Sequence, residues 1–253
     1  MKKWLSYQLL IIIIVFVMGQ ICKANFIDHG LYKMKTIEDG YLLKCGVEYI
    51  LEKKDLDGFI DYQNSYIESS EEYPIVVIGK PTGNIEQALR SFGQEIIVEK
   101  ILKGTGIEKE NKYFVYKEYG FNITSGNELS LSDTMNVINI FNENNGNRLV
   151  YGDTTNVMNP DCYYLIFLKP SDLNPLTSID SYMCLNYFPY LNISRDRSFP
   201  INEDLYSIKY ADLKDSEFFA SNQEIIDQVH IIKHKIVSKY KDEIGDYLGM
   251  DLE

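Results

Sequence analysis

At 253 residues and 45% apolar content, the chain can bury one sizeable core or two small ones. Its 20 Tyr and 12 Phe against a single Trp favour β-rich structure over a helical bundle. The formal charge is −12, and 25 bases less Lys2, Lys3 and Lys23 against 37 acids leave −15 for the rest of the chain, which excludes nucleic acid as a partner of the folded part and suits a soluble exported surface.

Residues 1–24 open with Lys2-Lys3, continue into the apolar run Leu9 to Met18 and end in Gly-Gln-Ile-Cys-Lys-Ala. A positive start, an apolar run of this length and small residues at Cys22 and Ala24 are the plan of a signal peptide cleaved before Asn25. An uncleaved anchor from Trp4 to Ile21 is the alternative. A lipoprotein reading through Cys22 is weaker, because Gly19-Gln20-Ile21 puts no small residue directly before it. Any membrane contact is expected through this segment alone.

Residues 25–72 read as an extension with one possible strand, Tyr41 to Leu51, and an acidic connection ending at Pro74. Asp55-Leu56-Asp57-Gly58 lacks the ligand spacing of an EF-hand and reads as a turn. From Tyr73 to Tyr119 three β-rich runs are separated by turn signals: YPIVVIGK, a Gly/Pro turn, QEIIVEKILKG and KYFVY. In the middle run Ile96, Val98, Lys100 and Leu102 alternate with Glu95, Ile97, Glu99 and Ile101. Neither face is wholly polar, which suits a barrel strand.

An Asn/Gly/Ser-rich excursion follows, with short strands expected at Val137 to Phe141 and Arg148 to Tyr151 around the Asn145-Gly146 turn. Asp161 to Pro170 is almost continuously apolar and predicts a central strand buried on both faces. The aromatic stretch from Ser181 to Ser194 contains Pro189, which argues for an edge or a bulge. In the tail, Ser221 and Glu224 form a capping box, and Ile225, Val229, Ile232, Ile236 and Tyr240 recur at helical spacing with Ile226, Val237 and Ile244 beside them. A long amphipathic helix over 221–248 is expected, packed on a barrel spanning 73–210.

The nucleophile-elbow motif and phosphate cradles are missing: there is no G-x-S-x-G and no Walker spacing around Gly79-Lys80. His230 and His234, four residues apart, share a helix face and are the candidates for a metal; with no acid at motif spacing and no third ligand near them in sequence, that face reads as solvated helix surface. No cofactor is expected. Cys162 and Cys184 fall in neighbouring predicted strands and are either a disulfide or two small buried hydrophobes. Asn122-Ile123-Thr124 and Asn192-Ile193-Ser194 match the glycosylation pattern and carry meaning only in a host that glycosylates them. Tyr187, Phe188 and Tyr190 around Pro189 are the candidate binding surface, because an edge or strand mouth is where such barrels present contacts, and Tyr suits protein or sugar recognition. The rival reading is that these rings cap the core.

Taken together, IVVIGK, EIIVEKILKG, YFVY and YGDTTNVMNPDCYYLIFLK resemble a pattern of exported bacterial surface proteins, and through it the barrel of tissue inhibitors of metalloproteinases and netrin-type modules. The resemblance covers about residues 73 to 170 and implies a mainly β fold with helices, an OB-like barrel. It implies no activity. The inhibitors chelate a protease zinc through a mature N-terminal Cys, whereas cleavage here leaves Asn25, with the next Cys at position 45. The function expected is an exported, cell-surface or membrane-anchored binding or scaffold protein, with an envelope protein or glycan as partner. The alternatives are a secreted hydrolase using paired carboxylates and a protease inhibitor by analogy with the family.

Overall fold

The computed structural model of the chain describes residues 7–8, 11–12, 15–16, 18, 31–33, 41–43, 71–88, 91–118, 122–124, 149–151, 155–171, 181–184, 190–200, 207–220 and 223–249. In chain order the strands are β1 (Leu31–Lys33), β2 (Tyr41–Leu43), β3 (Ile75–Ala88), β4 (Ser91–Lys103), β5 (Lys112–Glu118), β6 (Asn122–Thr124) and β7 (Leu149–Tyr151). They continue with β8 (Tyr164–Pro170), β9 (Ser181–Cys184), β10 (Tyr190–Asn192), β11 (Phe199–Pro200), β12 (Ser207–Lys209) and β13 (Phe219–Ala220). Helices α1 (Tyr210–Leu213), α2 (Gln223–Ser238) and α3 (Lys241–Ile244) complete the order, with a 3₁₀ turn over Gly245–Tyr247.

Strands β3, β4, β5, β9 and β8 hydrogen-bond in that order, and β8 returns to β3 to close a five-stranded barrel. Only the β5–β9 pair is parallel within this ring. The closure runs from Ile75 opposite Leu168 to Gly79 opposite Tyr164. The apolar run of β8 has neighbours on both edges: β3 on one, and β10 followed by β9 on the other. Its alternation feeds two cores. Tyr164, Ile166 and Leu168 join Ile75, Val77, Ile96, Val98 and Val115 inside the barrel, while Leu165 and Phe167 join Val76 and Ile78 in a second layer under α2. A strand buried on both faces has no polar side to offer, and hence its apolar run.

Two expectations about the first hairpin are corrected. The Gly/Pro stretch is not its turn: β3 runs through Pro81 and Gly83 to Ala88, and the ladder continues to Ala88 opposite Ser91. The register steps from Pro81 opposite Ile96 to Ile85 opposite Gln94, so the stretch is a bulge that absorbs extra residues; Pro81 sits at the irregularity and Gly83 takes φ 85°. The strict alternation of the middle run also fails. Ladder shifts at Val76/Val77 and Ile78/Gly79 put extra residues in β4 and reverse its parity, so Ile101 packs with Ile96 and Val98 while Leu102 turns to the α2 layer.

Smaller sheets flank the barrel. Strands β12, β2, β7 and β6 form one, and β11 pairs in parallel with β13. Leu149–Tyr151 is a strand, and its antiparallel partner is Asn122–Thr124. Val137 to Phe141, the Asn145-Gly146 turn and most of the proposed strand Tyr41 to Leu51 lie outside the described residues.

The tail stripe is observed as read: Ile225, Ile226, Val229, Ile232, Ile236 and Val237 are all buried against the barrel's outer layer. The helix is shorter than the expected 221–248, at 16 residues. Its last turn tightens, with Lys239 N–H donating to Ile236 O and Tyr240 N–H to Val237 O. The chain then turns so that Tyr240 can lie edge-on to Phe167, at 6.1 Å, and Ile244 can be buried. Ser221 lies outside the described residues.

The chain divides into two compact units, residues 1–31 and 32–253. In the first, Tyr7, Gln8, Ile11, Ile12, Val15, Phe16 and Met18 are helical and exposed, the apolar ones by 59 to 66%. Among the described residues no helix is long and apolar enough to cross a membrane.

Candidate functional site

The described residues that concentrate chemistry lie where α2 crosses the segment after β10. Asn192 at the end of β10 makes an Asx turn, its Oδ1 accepting from the N–H groups of Ser194 (2.9 Å) and Arg195 (3.1 Å), which swings the chain toward α2. Gly249 N–H donates to Ile193 O and fixes the other side of this segment. Further on, Glu217 N–H donates to Arg197 O, and the β11–β13 pair fastens the chain just after Glu217 alongside. A buried amide holds the preceding loop: Asn156 Nδ2 donates to Leu213 O and Ser216 O, while its Oδ1 accepts from Tyr210 Oη and Val157 N–H.

Lys233 is completely buried within the apolar stripe of α2. Its three ammonium protons are matched by three acceptors: Arg195 O at 3.0 Å, Asp196 Oδ1 at 3.0 Å and Glu217 Oε2 at 2.5 Å. Glu217 Oε1 accepts from Asn192 N–H at 2.7 Å, so both oxygens of this buried carboxylate are engaged. Burial pushes the Glu217 carboxyl up, against the pull of Lys233 and the Asn192 N–H. Burial also works against ionised Asp196, but contact with His230 and the charge of Lys233 outweigh it and hold that carboxyl well below the usual range.

His230 and His234 both turn to Asp196. His234 Nε2 lies 2.5 Å from Asp196 Oδ2, and His230 Nδ1 contacts Asp196 Oδ1. The Asp196, His230 and His234 ligand atoms all lie within 4.8 Å of one another. The His230 ring is fixed edge-on to Phe218, at 5.6 Å. The helix face read as solvated is therefore a half-buried seam, with the third group supplied from a segment distant in sequence. Lys233, Glu217 and Asp196 were not read from the sequence. Lys233 carried a signal, because it stands four residues from both Val229 and Val237, inside the stripe; Asp196 carried none.

The aromatic candidates separate. Tyr187 and Phe188 lie outside the described residues. Tyr190 is a core residue, 3% exposed, its Oη accepting from Gln94 Nε2 and donating to Asn156 O, its ring edge-on to Tyr164. Cys162 and Cys184 are free thiols buried in the barrel core. Burial pushes the Cys184 thiol far up, and Cys162 Sγ accepts from Arg195 Nε at 2.8 Å. Asn192 is buried and committed to its turn. An open surface groove of about 470 Å³, lined by Glu99, Lys100, Ile101, Lys109, Asp246 and Tyr247, mixes charges of both signs.

Compared with protein-family models and with curated proteins, the chain matches none.

Proposed function

We propose that the chain is an exported, cell-surface or membrane-anchored binding or scaffold protein, built on an OB-like barrel of the kind seen in metalloproteinase inhibitors and netrin modules. The observation that carries export is the helical residues between 7 and 18, whose apolar side chains are exposed behind the Lys2-Lys3 start. Such side chains in water are unfavourable, and a translocation apparatus or a bilayer gives them an apolar environment. The five-stranded closed barrel supports the OB-like reading.

A binding role is supported by how the buried groups are used. The barrel interior is filled by apolar side chains, and Glu86, Glu95 and Glu217 are each hydrogen-bonded within the protein, by Tyr116, by Thr82 with Asn84, and by Lys233. For the hydrolase alternative, the described residues include a carboxylate pair bridged by a base, Asp196 and Glu217 about Lys233. Glu217 is buried with both oxygens engaged, a poor acid or base for a substrate in solvent. The contact surface is assigned to Tyr187 and Phe188, next to Tyr190, which anchors β10 in the core. An envelope protein or glycan is the partner class.

N-terminal sequencing of envelope and medium fractions tests export: Asn25 as first residue supports cleavage and Met1 in membranes supports an anchor. Full-length chain soluble in the cytoplasm overturns it. For binding, crosslinking in intact cells should yield an envelope adduct that Tyr187→Ser with Phe188→Ser removes without moving Tm by more than a few degrees.

A further inference from the structure

We infer that Asp196, His230 and His234 form a binding site for a divalent first-row cation of the zinc type. This goes beyond the export and binding reading and stands independently of it. Two imidazoles and one carboxylate are a ligand set that suits zinc, with remaining coordination positions left to solvent or to a partner's side chain. The i, i+4 spacing on α2 fixes both rings on one helix face, and the segment after β10 brings the oxygen to them.

Four features distinguish this seam from an ordinary surface ion pair. The three ligand atoms lie within 4.8 Å of one another, and His234 Nε2 and Asp196 Oδ2 are in direct contact at 2.5 Å; zinc at about 2.0–2.2 Å from each would set such a pair roughly 3.3 Å apart, so the ion enters by side-chain rotations that open the histidine–carboxylate contacts. Lys233 grips Asp196 Oδ1 from the protein side, so Oδ2 is the oxygen presented with His234. His230 Nδ1 is buried and faces Asp196 Oδ1 directly, so nitrogen and oxygen are aimed at the same small volume, as two ligands of one ion are. Finally, Asp196 and Glu217 against Lys233 leave one negative charge beside two imidazoles that ligate when neutral, an electrostatic setting that attracts a cation. The contacts of Asp196 to Lys233 and of the His230 ring to Phe218 are the kind of outer support that orients metal ligands.

The full-length chain, stripped with a chelator and desalted, should take up one equivalent of Zn²⁺, counted by elemental analysis and titrated by calorimetry, with Tm rising by several degrees in excess zinc. His230→Gln and His234→Gln should each weaken uptake by at least about tenfold, and the double variant should abolish it. His29→Gln should leave uptake unchanged. Substoichiometric uptake by the wild-type chain, meaning that Asp196 and the two rings share only protons, overturns the proposal; so does unchanged uptake in a folded double variant. Should the double variant fail to fold, X-ray absorption at the zinc edge of the loaded wild-type chain decides. Two imidazole ligands uphold the site, and sulfur or purely oxygen coordination overturns it.

Discussion

Inside the barrel, Val77, Ile96, Val98, Ile166 and Leu168 pack with one another, while one layer outward Lys233, on the inner face of α2, and Glu217 opposite it are buried too. The barrel core is held by removal of apolar area from water, at about 25 cal/mol per Å², and tolerates any set of side chains that fills the volume. The seam under α2 is held by matching. Each donor of Lys233 and each oxygen of Glu217 has one partner, and a buried charge that loses its partner costs far more than the pair contributes. One region is robust and unspecific; the other is unforgiving and fixes where α2 lies.

The largest break of that contrast is Lys233→Met. It preserves apolar volume yet leaves Glu217 buried and unpaired, and should cost about 3–5 kcal/mol in urea denaturation. Adding Glu217→Gln should return part of that loss; a double variant worse than the single would show that charge matching is not what holds the seam. Next come Ile166→Ala in the barrel and Ile232→Ala on the buried face of α2, each expected to cost about 2–4 kcal/mol through lost burial and a residual cavity. Equal costs would mean that the helix layer is as well packed as the barrel. Tyr190→Phe removes the hydroxyl between Gln94 and Asn156 and should cost about 1–3 kcal/mol, with the barrel otherwise intact by circular dichroism.

A smaller effect depends on pH. Asp196 ionises more readily in the folded than in the unfolded chain, so its contribution is present above the unfolded carboxylate range near pH 4 and is lost as pH falls toward the lowered folded value. In chelator, the stability gap between wild type and Asp196→Asn should therefore be widest near neutrality and narrow below about pH 4. Glu217 acts in the opposite direction, since its raised folded value favours the folded state at low pH and that advantage fades as pH rises through it. Smallest of all, Ile231→Ser, on the exposed side of α2 beside the same cluster, should shift stability by no more than about 0.5 kcal/mol.

The same contrast decides what was legible in the sequence. Apolar burial leaves a periodic trace, so the run Asp161 to Pro170 announced a central strand and Ile225, Val229, Ile232 and Ile236 announced a packed helix face. Irregular ladder geometry leaves a weaker one. Pro81 and Gly83 are turn residues wherever they occur, and only pairing partners tell a bulge inside a strand from the end of it. The length of α2 was overread because Tyr240 and Ile244 keep the helical spacing while the chain has already turned to bury them. Matching of polar groups leaves no trace at all: Asp196, in an irregular segment, meets His230 and His234 through a turn built by Asn192, and no local pattern names that meeting.

The closure of the barrel also has a kinetic side. Strand β3 comes first among the five and β8 must return to it, pairing Ile75 with Leu168 across nearly all of the intervening chain, so the ring cannot close until the intervening loops have been drawn in. Only after closure do Val76, Ile78, Leu165 and Phe167 form one continuous outer face, and their cover, α2, follows every strand in chain order. Between those two events the closed barrel carries a bare apolar patch flanked by the unpaired Glu217. A chain halted before residue 223 should therefore populate a sticky intermediate that a chaperone would hold, and supplying α2 as a separate peptide should release it.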